Sequence, residues 1–370
     1  MLKKFCVKNF KNFNDNFCID LSDVHDYKFN TQCIRNELLN KVIVYGKNAV
    51  GKTNLGFALF DLTTHLIDGH RIEAVYQDYL NADSDEKYAS FSYEFLFEGD
   101  SVIYNYQKTD ADTLRFEEFI FNGSTIFTYD FENNTWNFDG LKYLQIDSLN
   151  WQFKDNKMSI LKYIANNTYM YEGSPILKVI TFVSRMIWFR SLGNNIYIGR
   201  QIDNSSILSY ITKNNLVDEL NEYLQGFGIE KKIVSIKQSD GEDVVYFDHK
   251  RPIAFTKAAS NGTISLTAFF FWLKQREEFS FIWIDEFDGF LHFEASEWFV
   301  KYLQKNVQSS QIVLTTHNTS LLSNKIMRPD CFFILTKNRI TSLCNATDRE
   351  LREGHNLEKL YRNGEFDVEE

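Results

Sequence analysis

Gly46-Lys47-Asn48-Ala49-Val50-Gly51-Lys52-Thr53 follows directly on the apolar run Val42-Ile43-Val44-Tyr45, and this junction decides the fold. The eight residues fit G-x-x-x-x-G-K-[ST]. Such a loop works where a buried strand delivers it and a helix N-terminus receives it, so that unpaired backbone N–H groups converge on phosphate oxygens. Asn54 to Leu62 supplies the helix. Gly46 and Gly51 let the backbone approach a ligand closely, Lys52 can reach β and γ phosphates, and the Thr53 hydroxyl can ligate Mg²⁺. Gly46, Asn48, Ala49, Val50, Gly51, Lys52, Thr53 and Asn54 are therefore the expected nucleotide-binding set.

Two later runs fit the same chemistry. Phe279-Ser280-Phe281-Ile282-Trp283-Ile284 reads as a strand buried on both faces and ends in Asp285-Glu286. Adjacent carboxylates at a buried strand tip are costly. The cost has a use if Asp285 serves the magnesium shell and Glu286 orients or deprotonates an attacking water. A third apolar strand, Gln311 to Leu314, runs into Thr315-Thr316-His317 and places a histidine at another strand end.

The 370 residues are 44% hydrophobic and 16% aromatic with three prolines, enough for one elaborate domain or two lobes and too few breakers for a long flexible linker. Cys6, Cys18, Cys33, Cys331 and Cys344 are odd in number and contain no C-x-x-C pair, which points to reduced thiols in the cytoplasm and to no zinc site. Lys3 and Lys4 lead into Phe5-Cys6-Val7-Lys8 without the apolar core of a signal peptide, and no run is long enough to span a bilayer. No membrane partner is expected. A net charge of -10 argues against a globally basic, nucleic-acid-coating surface and leaves only a local groove for nucleic acid.

The chain divides into an N-terminal core lobe with the P-loop (1–80), an antiparallel β lobe (81–150), a helical insertion (151–232), a C-terminal core lobe (233–340) and a tail (341–370). The β lobe is read from Phe91, Tyr93, Phe95 and Phe97 alternating with polar residues, a Gly99 turn, and the Asn122-Gly123 hairpin. Lys3 to Val7 reads as an alternating strand followed by the polar turn Lys8 to Phe13, with a simple edge hairpin as the plain alternative. Helical spacing begins near Met158 and runs through Ile176, Leu177, Val179, Ile180, Val183 and Ile187, with Ser174-Pro175 as cap and first position. Further helices are read at Ile207 to Ile211 and Leu216 to Leu224. A hairpin follows, Ile233 to Lys237 and Val244 to Phe247 across Asp240-Gly241.

Between that hairpin and the acidic strand, Ala259-Ser260-Asn261-Gly262-Thr263-Ile264-Ser265-Leu266 opens an apolar helix, and a Ser and Gly at such an N-terminus suit an anion. The order of P-loop, small-residue cap, Asp-Glu strand and strand-end histidine resembles the ABC-type ATPase heads of the SMC and RecF class. It resembles most the compact AAA-type ATPases of prokaryotic defence, such as the ATPase subunit of the PARIS system and the heads of overcoming-lysogenisation-defect proteins. Val7-Lys8-Asn9-Phe10-Lys11-Asn12-Phe13 is similar to the family's opening I-x-N-F-(R/K)-x-F, which puts Lys11 at the nucleotide. Ser260, Asn261, Gly262 and Thr263 resemble a degenerate L-S-G-G-Q signature. Asp285 to His292 resembles D-E-x-x-x-x-L-H, where His292 is read as packing or capping a helix. Thr315 to Asn318 resembles the H-loop, and Asn356 to Phe366 the terminal N-(I/L)-E-K-x-Y-x-x-G-R-F, with Glu365 where Arg is usual. Gln77 and Gln107 are the two candidates for the Q-loop glutamine, and no Toprim nuclease cluster follows the core.

The resemblance implies an α/β P-loop ATPase head that uses ATP and Mg²⁺. It implies a homodimer or higher homo-oligomer in which Ser260 to Thr263 of one copy cap the triphosphate held by the other. Catalytic roles fall to Glu286 and His317, metal roles to Thr53 and Asp285. A separate effector protein in anti-phage defence is the implied partner; a RecF-like DNA-repair ATPase and a nucleotide-gated scaffold with negligible turnover are the alternatives.

Overall fold

Five apolar strands lie parallel at the centre of the computed structural model, which describes residues 1–146, 149, 155–190, 196–199, 207–239, 241, 243–274 and 279–366. In spatial order they are Met186–Arg190, Phe281–Asp285, Gln311–Thr316, Lys41–Tyr45 and Phe332–Leu335. Antiparallel strands Ile196–Gly199 and Ile340–Ser342 close the two edges. Every residue of Lys41–Tyr45, Phe281–Asp285 and Gln311–Thr316 is buried, as the unbroken apolar runs require of strands covered on both faces. Because these strands run parallel, their C-terminal ends share one edge, where open α/β sheets hold ligands.

A second, seven-stranded antiparallel sheet runs from Thr135–Asn137 through Ser124–Asp130, Leu114–Phe121, Asp100–Lys108, Ala89–Phe97 and Leu2–Lys8 to Phe17–Asp20. Alternation sends Phe91, Tyr93 and Phe95 inward. Asn122 and Gly123 both have positive φ, at 46° and 78°, and turn the hairpin as their types demand. The N-terminal strand pairs with Ala89–Phe97 as well as with Phe17–Asp20, so the hairpin it forms with Phe17–Asp20 closes one edge of this sheet.

Two expectations change. The helical spacing that ran to Ile187 stops at Ser184, the end of helix Pro175–Ser184; Ile187 sits in the central strand Met186–Arg190. The 151–232 segment therefore contributes two strands to the core sheet besides its helices Ile160–Asn167, Ile207–Lys213 and Val217–Gly226. Cys6 and Cys18, opposite each other on neighbouring strands, form a disulfide, which corrects the reading of all five cysteines as thiols. The strands on either side of Asp240 pair as a hairpin, while Asp240 itself lies outside the described residues. Among the described residues no helix is long and apolar enough to cross a membrane.

The P-loop helix, Lys52–Phe60, is packed between the two sheets. On the core-sheet side Gly56 meets two indoles: a Cβ there would lie 2.6 Å from Trp188 Nε1 and 2.9 Å from Trp283 Nε1. On the other side Tyr93 of the antiparallel sheet donates to the carbonyls of Ala58 and Leu59 at 3.0 and 3.2 Å. Asp61, just beyond the helix, is fully buried and pairs with equally buried Lys108 at 2.9 Å while accepting the hydroxyls of Tyr79 and Tyr106, both at 2.9 Å. Burial pulls the Lys108 ammonium down and Asp61 opposes it. A fully bonded buried pair of this kind fixes the lobe's position on the helix, and losing either partner would leave an uncompensated charge.

Gly56→Ala should lower the free energy of unfolding by roughly 1–3 kcal/mol, because two rigid rings would have to retreat; an unchanged denaturant midpoint would contradict that packing. Lys41, which opens the P-loop strand, is 1% exposed and donates to Ser310 O at 3.0 Å, and burial pulls its ammonium down to about 7. The unfolded chain keeps that proton up to about 10.4, so it binds more protons than the folded one above pH 7 and stability should rise with pH there. Lys41→Met should flatten the rise by roughly 2 kcal/mol between pH 7 and 9. Equal slopes for variant and wild type would refute the shift.

Candidate functional site

The parallel strands deliver the P-loop, the two acids and the histidine to one edge, and the P-loop is shaped for an anion. Gly51 has φ 104° and Ala49 φ 64°, conformations that turn successive N–H groups the same way. A Cβ on Gly51 would strike Asn12 Nδ2 at 2.3 Å, and one on Gly46 would come within 2.8 Å of Val50 Cγ2 and 3.1 Å of Leu335 O. Both glycines are needed for close approach, and Gly51 for its left-handed turn as well.

Lys52 is buried, with its Nζ donating to Gly46 O at 2.7 Å and Lys47 O at 3.0 Å across the mouth of its own loop. Burial lowers its affinity for the proton, and Glu286, Asp285 and Asp288 counteract this from the facing strand end. Thr53 joins the two motifs directly by donating to Asp285 Oδ2 at 2.7 Å. Thr315 donates to the other oxygen of that carboxylate, Oδ1, at 2.8 Å. Asp285 is fully buried; burial raises its pKa, against which the two threonines and Arg190 act.

Glu286 turns the corner after the strand in a left-handed conformation, φ 47°, with its N–H given to Thr315 Oγ1 at 2.8 Å. A non-glycine residue held there stores strain of about 1 kcal/mol or more, a cost typical of functional corners. Its carboxylate accepts from Arg190 at 2.6 Å. His317 is exposed at the end of Gln311–Thr316 and lies near enough to Asp288 to favour its charge. Asp288 is buried and accepts from Thr316 Oγ1 at 2.7 Å, while its Oδ1 has no partner.

The remaining motif residues are placed less directly. Lys11 gives its ammonium to Gln77 O at 3.0 Å, and it is the neighbouring Asn12 that touches the P-loop helix, accepting from Asn54 Nδ2 at 2.7 Å. Ser260 caps the helix Asn261–Lys274, accepting from Thr263 N at 3.2 Å and sharing a hydrogen bond with Thr263 Oγ1 at 2.9 Å. Ser260 and Asn261 are exposed, and Gly262 backs onto the Phe290 carbonyl, which a Cβ would approach to 2.9 Å. His292 stands at the N-cap position of the helix Phe293–Asn306, with no capping bond from its side chain. In the tail, Tyr361 packs edge-on against Tyr45 of the P-loop strand, and Glu365 pairs with Arg349 at 2.9 Å. Gln107 accepts from Arg115 within the antiparallel sheet.

Thr315, Asp288 and Asn12 lie within the quoted motifs but were given no role there, and Arg190 lies outside every motif. Arg190 had a legible signal, since Met186-Ile187-Trp188-Phe189 runs into a charge as Phe281–Ile284 runs into Asp285. The donor set suits Mg²⁺: a threonine hydroxyl and a carboxylate are hard oxygen ligands, and this ion takes few protein ligands when phosphate oxygens and water complete its shell. Among the described residues no cluster of three His, Cys, Asp or Glu side chains forms an all-protein metal cage.

Sequence comparison matches residues 41–323 to the family described as "AAA domain, putative AbiEii toxin, Type IV TA system". No curated protein matches the chain. Among solved structures, an SMC head bound to the C-terminal winged-helix domain of ScpA is 16% identical, covering 92% of this chain and 97% of its own, with a TM-score of 0.47. The SMC head domain from Thermotoga maritima is 14% identical over 92% and 98%, with a TM-score of 0.43. A Pyrococcus furiosus-derived complex, an Smc head with an extended coiled coil bound to the C-terminal domain of ScpA, is 14% identical over 92% and 96%, at 0.45. The family match spans well over half of the chain and includes the P-loop, the acidic strand and the strand-end histidine: this chain belongs to that AAA-domain family.

Proposed function

We propose that the chain binds and hydrolyses ATP, that two copies close head to head around ATP and Mg²⁺, and that it serves in the cytoplasm as the regulatory ATPase of an anti-phage, abortive-infection system acting on a separate effector. The observation that carries the ATPase reading is the 2.7 Å bond from Thr53 to Asp285, which joins P-loop and acidic strand at the mouth that Lys52 spans. The family's description, an AAA domain and putative AbiEii toxin of a type IV toxin–antitoxin system, supports a link to a toxicity system.

In this reading Lys52 exchanges the carbonyls of Gly46 and Lys47 for β and γ oxygens, and the backbone from Gly46 to Asn54 cradles the phosphates. Thr53 and Asp285 would hold the metal. Mg²⁺, when bound, neutralises phosphate oxygens and the charge growing on the leaving group. Glu286 orients a water whose oxygen bonds to the γ phosphorus as the bond to the β–γ bridging oxygen breaks; the water's proton passes to Glu286 and ADP departs with the electron pair. His317 stands at the adjacent strand end as a γ-phosphate contact.

Ser260 to Thr263 act in trans. A second helix N-terminus adds donors to a ligand too highly charged for one face to neutralise. Exposed Phe290 and Phe293, each 38% accessible, lie on the segment behind Gly262 and offer apolar surface for the second copy.

Glu286→Gln should slow turnover by about 10²–10⁴-fold and accumulate an ATP-bound dimer, read by light scattering on a sizing column with Mg²⁺ and ATP. Wild-type turnover in that variant, or an unchanged mass, would contradict the scheme. Lys52→Ala should lose binding of ATP and ADP alike. Purification with the genes encoded beside it should bring down an effector protein; recovery of DNA in its place would favour repair.

A further inference from the structure

Arg190 ends the strand Met186–Arg190 and stands in register beside Asp285 on the neighbouring parallel strand. Its terminal nitrogen donates to Glu286 Oε2 at 2.6 Å. Its Nε lies 3.8 Å from Asp285 Oδ2, too far for a hydrogen bond, and is buried without a partner. That same Asp285 oxygen takes the Thr53 hydroxyl, so the guanidinium and the P-loop threonine flank one carboxylate oxygen.

This arrangement is incomplete as a purely structural ion pair. A guanidinium stays charged at any ordinary pH and presents a planar fork of donors, and a buried N–H without an acceptor is costly. The nearest carboxylate oxygens are already engaged, Asp285 by Thr53 and Thr315 and Glu286 by the guanidinium itself. The acceptor that best matches a free edge of the fork is a phosphoryl oxygen. Meanwhile the Glu286 carboxylate has its Oε2 occupied by the guanidinium and its negative charge partly neutralised, which weakens it as a base for water. The two needs are complementary: moving the fork satisfies Nε and frees Glu286.

Resting on the ATPase reading above, we propose that Arg190 is a switch residue for the terminal phosphate of a nucleoside triphosphate: it holds Glu286 while no triphosphate competes, and turns to a γ-phosphate oxygen when one binds, releasing Glu286 to the water. A diphosphate has no oxygen at that position and leaves the Arg190–Glu286 pair intact. The switch thus ties the competence of Glu286 to the presence of the γ phosphate within a single chain.

The test is isothermal titration calorimetry of full-length wild type, Arg190→Gln and Arg190→Lys with Mg²⁺ and either AMP-PNP or ADP, alongside thermal midpoints without nucleotide. Arg190→Gln should weaken AMP-PNP by about tenfold or more, as befits the loss of a charge-assisted hydrogen bond, while ADP changes by less than about twofold. Arg190→Lys should recover part of the AMP-PNP affinity, because it keeps the charge without the fork. Equal weakening of both nucleotides, or of neither, in whichever variant retains the wild-type thermal midpoint would overturn the switch. Wild-type protein that binds neither nucleotide would instead sink the ATPase reading itself, so the two failures are distinct.

Discussion

The buried carboxylate of Asp285 is the constraint on which the rest of the site depends. A fully desolvated acid at the end of a central strand is held by two threonine hydroxyls, Thr53 from the P-loop and Thr315 from the next strand, and by the nearby positive charge of Arg190. Each of these groups lies on a different strand or loop. The carboxylate can be buried at tolerable cost only if all of them arrive together, so the parallel register of the core sheet and the position of the P-loop are fixed by one side chain.

The P-loop helix carries that constraint outward to the antiparallel sheet. Gly56 lets Trp188 and Trp283, on the strands that end in Arg190 and Asp285, press against the helix backbone. The far end of the helix is tied by Tyr93 and, through Asp61, by Lys108, Tyr79 and Tyr106. Tyr79 also packs edge-on against Phe10, just before Lys11 and Asn12, so the turn that touches the P-loop is anchored in the same network. A shift of the P-loop helix therefore has direct mechanical contact with both sheets.

Much of this was legible in the sequence, for reasons that can be named. Strands buried on both faces leave unbroken apolar runs, and Val42 to Tyr45, Phe281 to Ile284 and Ile312 to Leu314 end in residues too polar to be there by default. The antiparallel sheet announced itself by period two at Phe91, Tyr93 and Phe95 and by Asn122-Gly123. The strand Met186–Arg190 was hidden because it follows the helix Pro175–Ser184 with Arg185 alone between them, so no glycine or proline marks the change of period; Arg190 was lost with it. Thr315 acts through a hydroxyl that any buried threonine carries, and Asn12 through a contact made across 42 residues of chain, to Asn54. The Cys6–Cys18 bridge depends on the register of a hairpin whose length no spacing rule specifies. Lys11, placed at the nucleotide by resemblance, has its ammonium on Gln77, while its neighbour makes the contact with the P-loop helix.

The central claim is that residues 46–54 and Asp285 form one triphosphate and metal site. A crystal structure of the full chain with AMP-PNP and Mn²⁺, using the anomalous signal of manganese, tests it most directly. The metal should appear beside the Thr53 hydroxyl on the side of Asp285, with the Lys52 ammonium moved from Gly46 O onto phosphate oxygens. A manganese peak away from Thr53 and Asp285, or triphosphate density outside the P-loop, would contradict the account.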